Sequence, residues 1–486
     1  MDWVLIGEGI YIVILIFTCL RIIYDTRSTT KTLAYLLLAI FVPFFGMAFY
    51  FTFGINYRRR KIYSKKLLDD EEMALRLRQR LHENSLHVIK GTDSISPEKK
   101  ELAYLLLNDS MSPVTDDNDV KLLINGEQKF PAVLEALQNA KHHIHIEYYI
   151  YEDDSIGNAI AEILVQKAKE GVKVRFIYDD FGSRSIRRRL VKRLRANGVQ
   201  VFPFMRIYFI PFANRLNYRN HRKIIVVDGK TGFVGGINIS DRYINRPEDD
   251  KRNTYWRDTH LRMDGSAVKY LQYLFLCAWR FCAKENIQHI AEFFPYRDPL
   301  SNFTGKMVQM AASGPDSATP TILYSILKAI GLATKEILIT TPYFIPGESL
   351  MDSLTMAALS GVKVKILVPY RGDSIFVNTA ARSYYEELLH AGVEVYRYRR
   401  GFVHAKTIAI DRELAIVGTA NMDYRSFDLN FEVNAIVYDQ PTAEALSNSF
   451  YDDIQYAEKI DPDMWFKRPK AKKLLEKTVR LVSPLL

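Results

Sequence analysis

HRKIIVVD begins at His221 and HAKTIAID begins at His404, so the spacing His-x-Lys-x-x-x-x-Asp occurs twice in one chain. Each copy runs through β-branched, apolar residues, and a glycine follows seven residues after each Asp: Gly235 opens GGIN and Gly418 opens GTAN. Asn238 and Asn421 each lie 17 residues after their His. A lone His-Lys pair is ordinarily a packed or solvated pair, but coincidence is a poor explanation for two copies with matched glycine and asparagine offsets. Side chains of an extended strand alternate faces, so His221 and Lys223 project together, about 7 Å apart, as do His404 and Lys406. Asp228 and Asp411 fall on the opposite face, where holding strand or turn geometry suits them better than touching a substrate.

Two imidazoles brought together suit phosphoryl transfer. One, neutral, attacks phosphorus while the other, protonated, donates to the leaving alkoxide, and the roles exchange in the second step. Lys223 and Lys406 would neutralise the non-bridging oxygens, and Asn238 and Asn421 would donate hydrogen bonds to them. This chemistry requires no metal and no cofactor. The adjacent His142 and His143 alternate faces of a strand and read as structural or surface residues, not as ligands.

The elements that position these groups repeat. AKHHIHIEYYIY from Ala140, VKVRFIYDD from Val172 and VQVFPF from Val199 read as strands, with helices between them from Ala159 and Ser185. KEILITTPYFIP from Lys335, VKVKILVPY from Val362 and VEVYRY from Val393 follow the same order. Strands alternating with helices imply βαβ units, and two copies imply an α/β fold with a pseudo-twofold. The path into the first His-x-Lys is longer and aromatic (MRIYFIPFANRLNY from Met205), which suits a lid, a lipid-dipping patch or an ordinary packed loop.

The 486 residues suffice for two or three domains, and 66 Lys and Arg against 56 Asp and Glu give a net charge of +10, which points to an anionic partner. Cys19, Cys277 and Cys282 form neither a disulfide framework nor a Cys-x-x-Cys pair. The stretch from Trp3 to Leu20 holds one charged residue, Glu8, and 24 uncharged residues run from Thr32 to Ile55. Against the roughly 20 residues that span a bilayer core, these read as a membrane hairpin. No basic leader or small-residue cleavage site suggests a removed signal. Six basic residues follow the second stretch (Arg58, Arg59, Arg60, Lys61, Lys65, Lys66) against three in the turn (Arg21, Arg27, Lys31), which places the bulk of the chain on the cytoplasmic side of the cell membrane. The expected layout is a hairpin over 1–57, a helical, charged connector over 58–110, and two domains over 111–300 and 301–486.

With the paired HxKxxxxD and GGxN or GTxN motifs in hand, the chain resembles the phospholipase D superfamily; the hairpin and the C-terminal SPLL make it similar to bacterial cardiolipin synthases. The resemblance covers almost the whole chain. It implies two pseudo-twofold-related α-β-α sandwich domains, and His221, Lys223, Asp228, His404, Lys406 and Asp411 as the catalytic motifs. It further implies phosphatidyl transfer between two phosphatidylglycerol molecules, yielding cardiolipin and glycerol through a phosphohistidine. His221 would be the nucleophile and His404 the general acid and base, an assignment open to exchange. Glu432 in SFDLNFEVN would orient His221, and Asp258 in YWRDTH, at a different offset, would orient His404. Favouring an alcohol over water requires a site that holds the acceptor and restricts water, and tethering at the bilayer supplies both lipids locally.

SIRRRLVKRLR from Ser185 stripes Ile186, Leu190 and Leu194 along one side, with Arg187, Arg188, Lys192 and Arg195 around it, and could lie on anionic lipid or pack on its sheet. The tail from Met464, with Trp465 and Phe466 ahead of a basic amphipathic stretch, is the better candidate for a second membrane contact. YLQYLFLCAWRFC from Tyr270 reads as core. A phospholipase D or phosphatidylserine synthase would use the same groups. A nuclease, which nucleic acid binding by a basic chain would suit, is disfavoured by the spans, and a non-catalytic scaffold by the intact motifs. Nothing in the sequence assigns an oligomeric state.

Overall fold

The computed structural model describes residues 3–26, 29–42, 44–51, 71–91, 96–206, 218–285, 287, 289–295 and 305–481. Among the described residues eight strands precede residue 300: β1 (Thr115–Ile124), β2 (His143–Tyr148), β3 (Lys173–Asp179), β4 (Gln200–Phe204), β5 (Lys223–Val227), β6 (Thr231–Gly235), β7 (Tyr255–Arg257) and β8 (Thr259–Gly265). Eleven follow: β9 (Lys306–Ser313), β10 (Glu336–Thr340), β11 (Phe344–Ile345), β12 (Lys363–Pro369), β13 (Glu394–Tyr398), β14 (Gly401–Val403), β15 (Thr407–Ile410), β16 (Leu414–Gly418), β17 (Met422–Asp423), β18 (Glu432–Tyr438) and β19 (Ala457–Lys459).

Fifteen strands form one sheet with a palindromic order. Outward from its centre, one half runs β1-β8-β6-β5-β2-β3-β4 and the other β9-β18-β16-β15-β10-β12-β13, with β19 added at the second edge. In each half three strands are parallel, as the βαβ pattern requires, and the strand that follows the motif His enters antiparallel beside the first of them: β5 pairs with β2 and β15 with β10. These strands are almost wholly buried, so their sequences are continuous apolar runs instead of alternating ones.

Three of the apolar clusters among the described residues hold the sheet and its flanking helices. One joins β2, β3 and β5 to the helices of the first half, through Ile146, Phe176, Ile160 and Leu164. A second does the same around β10, β12 and β15. The third packs Ile224, Val226, Val234 and Leu261 of the first half together with Val417, Val433, Ala435 and Val437 of the second. The halves therefore share a core. The helix Val268–Ala283, expected to be core, buries Leu271, Leu274, Phe275 and Trp279.

Four expectations are refined. The uncharged run over 32–55 is not one long helix: the helix Thr29–Phe41 ends ahead of Pro43, which offers no backbone N–H, and a short helix Phe45–Phe49 follows. Residues 52–55 lie outside the described residues, so one described helix, Trp3–Asp25, is long and apolar enough to cross a membrane. The charged stretch over about 60–100, expected as a solvated helical connector, is partly packed: the helix Glu71–Gly91 buries Ile89, and the helix Pro97–Ser110 that follows buries Leu102, Leu106 and Leu107 in the core of the second half. The basic segment from Ser185 is helical only over Leu190–Ala196, after a turn of 3₁₀ helix at Arg184–Ile186; Ile186, Leu190 and Leu194 are its buried stripe. In the tail, Trp465 is buried under the Arg468 guanidinium and Phe466 stacks on His390 at 4.1 Å, so neither aromatic is free for lipid. The loop over 207–217 lies outside the described residues.

Candidate active site

The site histidines lie just outside the strands expected to carry them, His221 two residues before β5 and His404 three before β15, and the chain leading to each is hydrogen-bonded to the opposite half. The His221 N–H donates to the carbonyl of Phe431 at 3.0 Å, and the Phe431 N–H donates to Arg219 O at 2.8 Å. That register sets Glu432 beside the ring, with Oε1 and Oε2 2.9 and 3.0 Å from His221 Nδ1. On the other side β14 pairs in parallel with β7, Val403 opposite Arg257. The His404 N–H donates to Arg257 O at 2.7 Å, and His404 Nδ1 lies 2.7 Å from Asp258 Oδ2. Each half thus supplies the carboxylate for the other's imidazole.

Linear spacing hides the equivalence of these carboxylates, because 23 residues separate Gly235 from Asp258 but 14 separate Gly418 from Glu432. The ladders restore it. Gly235 is opposite His260 and Gly418 is opposite Asn434, so both carboxylates stand two residues before the glycine's partner. The first copy merely loops out further, through the helix Pro247–Arg252. Glycine is needed where the strands approach: a Cβ on Gly236 would sit 2.1 Å from Asp258 Oδ1, and one on Gly418 would sit 2.0 Å from Asn434 Oδ1. This accounts for the glycines of GGIN and GTAN.

The carboxylates are themselves held. Glu432 accepts from Thr419 Oγ1 at 2.5 Å and from Asn430 Nδ2 at 3.1 Å. Asp258 Oδ1 accepts from the Thr259 N–H at 2.7 Å, and the Asp258 N–H donates to Asn125 Oδ1 at 2.9 Å. A carboxylate can only accept, so Nδ1 of each neutral ring carries the hydrogen and Nε2 keeps its lone pair. Lys223 Nζ donates to His221 O at 2.6 Å, and Lys406 Nζ donates to His404 O, which fixes each ammonium beside its ring.

Burial dominates the electrostatics. His221 and His404 are only 8% and 9% exposed. Burial lowers the pKa of both, that of His404 to about 3; the lysines add to the effect, and Glu432 and Asp258 oppose it. Lys406 acts on His221 and Lys223 on His404, so the four groups share one field. Burial also brings Lys223 down to about 7 and Lys406 to about 8. Two strained ammonium groups beside two neutral imidazoles favour the arrival of an anion.

The remaining motif residues are placed differently. Asp228 lies at the far end of β5 from His221, where it accepts from the backbone N–H groups of Lys141, His142 and His143 at 2.9, 2.7 and 2.9 Å. Asp411 accepts likewise from Thr334, Lys335 and Glu336 at 2.8, 2.7 and 2.8 Å. Both fasten the start of the neighbouring strand and do not join the imidazoles. Asn238 spends its amide on Tyr243 Oη (2.7 Å) and on the Ile150 N–H (3.2 Å); Asn421 Nδ2 donates to Asp423 at 3.3 Å, while its Oδ1 has no partner. Neither amide is oriented by a lysine or a histidine.

Several neighbours carry no sequence-level signal of their own. Tyr149 meets the His221 ring edge-on at 4.8 Å, and Trp256, Phe402 and Tyr243 surround His404 at 5.7, 5.9 and 6.0 Å. Lys129, fully buried on a helix, donates to Ile237 O and Asn238 O at 2.9 and 3.3 Å and holds the turn after β6. Thr419 stands within GTAN and Trp256 beside Asp258, so both lay within motifs already singled out. Among the described residues no group of three His, Cys, Asp or Glu could hold a metal ion. His143 is bonded to Gln272 at 2.9 Å, and Gln272 to His145 at 2.7 Å, in a buried structural chain.

A pseudo-symmetric α/β sheet with one His-Lys pair and one exchanged carboxylate from each half defines an enzyme of the phospholipase D type. Comparison with known proteins agrees. A family model described as cardiolipin synthase, PLD-like domain, matches residues 133–253 and 326–454, and a phospholipase D-nuclease N-terminal model matches 10–54. A cardiolipin synthase of Halalkalibacterium halodurans is 42% identical over 100% of this chain and 95% of its own length. The major cardiolipin synthase of Bacillus subtilis is 39% identical over 98% of each. The crystal structure of a phosphatidylserine synthase from Haemophilus influenzae, at 15% identity, covers 79% of this chain and 100% of its own with a TM-score of 0.57, and shares the fold. The chain belongs to the bacterial cardiolipin synthase family.

Proposed function

We infer that the protein is a phosphatidyltransferase that makes cardiolipin and glycerol from two phosphatidylglycerol molecules. The observation that carries this is the exchanged pairing: each Nδ1 is tied to the opposite half's carboxylate, which leaves both Nε2 atoms and both ammonium groups for one phosphodiester. His221 Nε2 attacks the phosphorus of the first lipid, the P–O bond to its terminal glycerol breaks, and His404 gives a proton to that oxygen. His404 then takes the proton from a hydroxyl of the second lipid's glycerol. That oxygen attacks the phosphohistidine, the P–N bond breaks, and His221 is regenerated.

Burial and the ammonium groups keep His404 neutral. A phosphodiester anion set between Lys223 and Lys406 offsets that field and lets the ring take up the proton it must donate. Asp258 and Glu432 stabilise whichever imidazole is cationic, and Asp228 and Asp411 act through strand geometry alone. We assign the reacting halves to residues 111–300 and 301–486. We also assign 1–57 to a two-pass hairpin, with the catalytic part on the cytoplasmic side where the basic excess after Ile55 favours it.

The test is to incubate the purified, detergent-solubilised protein with phosphatidylglycerol alone. Cardiolipin and glycerol in equal amounts are expected. Phosphatidic acid as the sole product would make the protein a hydrolase instead. Quenching in denaturant at neutral to alkaline pH, where the P–N bond survives, followed by peptide mapping of the labelled phosphohistidine decides the order of attack, with label on His404 reversing it.

A further inference from the structure

The sheet edge that carries the site also carries apolar side chains that neither the core nor the chemistry uses. Tyr148, ending β2, is paired with Lys223 and with Tyr178, and Thr340, ending β10, is paired with Thr407 and Leu367. The loops leaving β3 and β12 therefore emerge beside His221 and His404 respectively. The loop after β3 places Phe181, 40% exposed, 4.2 and 4.5 Å from the guanidinium groups of Arg184 and Arg219. Asp179 ties it to the site, accepting from the N–H of Phe181 at 3.0 Å and from that of Asn220 at 3.1 Å, next to His221.

The loop after β12 leads into the helix Ile375–His390, whose first two residues, Ile375 and Phe376, are 83% and 66% exposed. It too is tied inward, since Tyr343 Oη donates to Asp373 at 2.5 Å, and the Met422 N–H, beside Asn421, donates to Thr341 Oγ1 at 3.2 Å. An exposed Ile-Phe pair leaves two large apolar side chains in water, so its position calls for a partner. Charge identifies that partner. Arg184 and Arg371, both exposed, flank the apolar tips on the two loops. An exposed arginine on the Phe181 ring and another four residues ahead of Ile375 match an anionic bilayer interface, with hydrocarbon below the headgroups and arginine at the phosphates.

We propose that the loops after β3 and β12 form a two-sided rim that seats on an anionic bilayer, Phe181 on one side and Ile375–Phe376 on the other. A phospholipid headgroup can then rise into the site while its acyl chains stay in the membrane. This inference rests on the lipid substrate read above, and its first test does not depend on turnover. The full-length protein and its F376W variant are reconstituted in vesicles of phosphatidylglycerol and phosphatidylcholine carrying bromine on the acyl chains of one or the other lipid. The variant's tryptophan emission should be quenched at least twofold more than the parent's, and more strongly when phosphatidylglycerol bears the bromine. Equal quenching of variant and parent overturns the rim, and equal quenching by both lipids overturns its anionic preference. In a second arm, I375S/F376S should lose at least tenfold in rate on vesicles yet keep the parent rate on short-chain phosphatidylglycerol dispersed as monomers. A parent-like rate on vesicles overturns the proposal. Absence of cardiolipin from parent and variant alike, on both substrates, would sink the enzymatic reading and leave the quenching result standing by itself.

Discussion

The two carboxylates that orient the histidines should answer differently to the same chemical change. Replacing Glu432 by Gln removes a charge and sets an amide beside His221. Its oxygen can stay toward Thr419 Oγ1, which donates to Oε2 at 2.5 Å, and still accept from His221 Nδ1. The new NH₂ would replace Oε1, which lies 2.9 Å from His221 Nδ1 and 3.1 Å from Asn430 Nδ2, but Asn430 Oδ1 has no partner, so a flip of that side chain gives the NH₂ an acceptor away from the ring. The tautomer survives and the loss is that of a charge-assisted hydrogen bond, about 1.5–3 kcal/mol, or roughly 10- to 150-fold in rate. Asp258→Asn has no such escape. Its Oδ1 accepts from the Thr259 N–H at 2.7 Å, so the amide oxygen must stay there and the NH₂ must point at His404 Nδ1. The ring is driven to the tautomer with hydrogen on Nε2, a change that costs about 10⁴ in a Ser-His-Asp triad. Single-turnover cardiolipin formation should therefore fall about a hundredfold further in D258N than in E432Q, and adding N430A to E432Q should close part of the gap. Equal losses in the two single variants, at matched thermal stability, would refute the tautomer argument.

Other outcomes follow from the same geometry. His221→Ala and His404→Ala should each abolish cardiolipin formation and, by taking one partner from a buried carboxylate, lower stability by about 1–3 kcal/mol without preventing folding; turnover in either excludes the two-imidazole mechanism. D228N and D411N should cost about 1–3 kcal/mol each in chemical denaturation, because a neutral amide cannot satisfy all the N–H groups these carboxylates accept. The folded fraction should turn over normally, so a catalytic defect without a stability defect would count against the structural role. His143 is held down to about 4, chiefly by burial, against about 6.5 in an unfolded chain. The unfolded state then binds the proton first, so this group's contribution to stability is full above pH 6.5 and is lost as pH falls toward 4, by up to about 1.4 kcal/mol per pH unit. H143Q should flatten that slope in denaturant titrations at pH 7 and pH 5. Chelators should leave the rate unchanged.

The repeat was legible because its chemistry is doubled: two His-x-Lys pairs on apolar runs demanded two strands, and β5 and β15 stand beside β2 and β10 as βαβ units require. The partners of the histidines were less so. Asp258 stands equivalent to Glu432 only in the ladder, where the longer excursion through Pro247–Arg252 no longer counts. Hydropathy over 32–55 registers apolar residues but not the stop that Pro43 imposes. In the tail, spacing marked an amphipathic helix but not its docked face. Lys470–Arg480 packs through Glu476, bonded to Arg468 at 2.8 Å, and Lys473, bonded to Glu386 at 2.8 Å, with Leu474 and Leu475 turned outward. A helical wheel assumes the reverse.

The exchange of carboxylates also says why the halves are fused and not merely alike. Glu432 and Asp258 are fully buried, and a buried carboxylate is tolerated only when its hydrogen-bond partners are in place. For each of them one partner, the imidazole, belongs to the other half. Undocked, either half would carry a desolvated or water-bound carboxylate and a histidine free to take either tautomer. The pairing of β14 with β7 and the Asn220–Phe431 bridge would be missing at the same time. Docking therefore builds the shared core, sets both tautomers and brings the second ammonium group to each ring in one event. A half on its own leaves its histidine without the carboxylate that orients it.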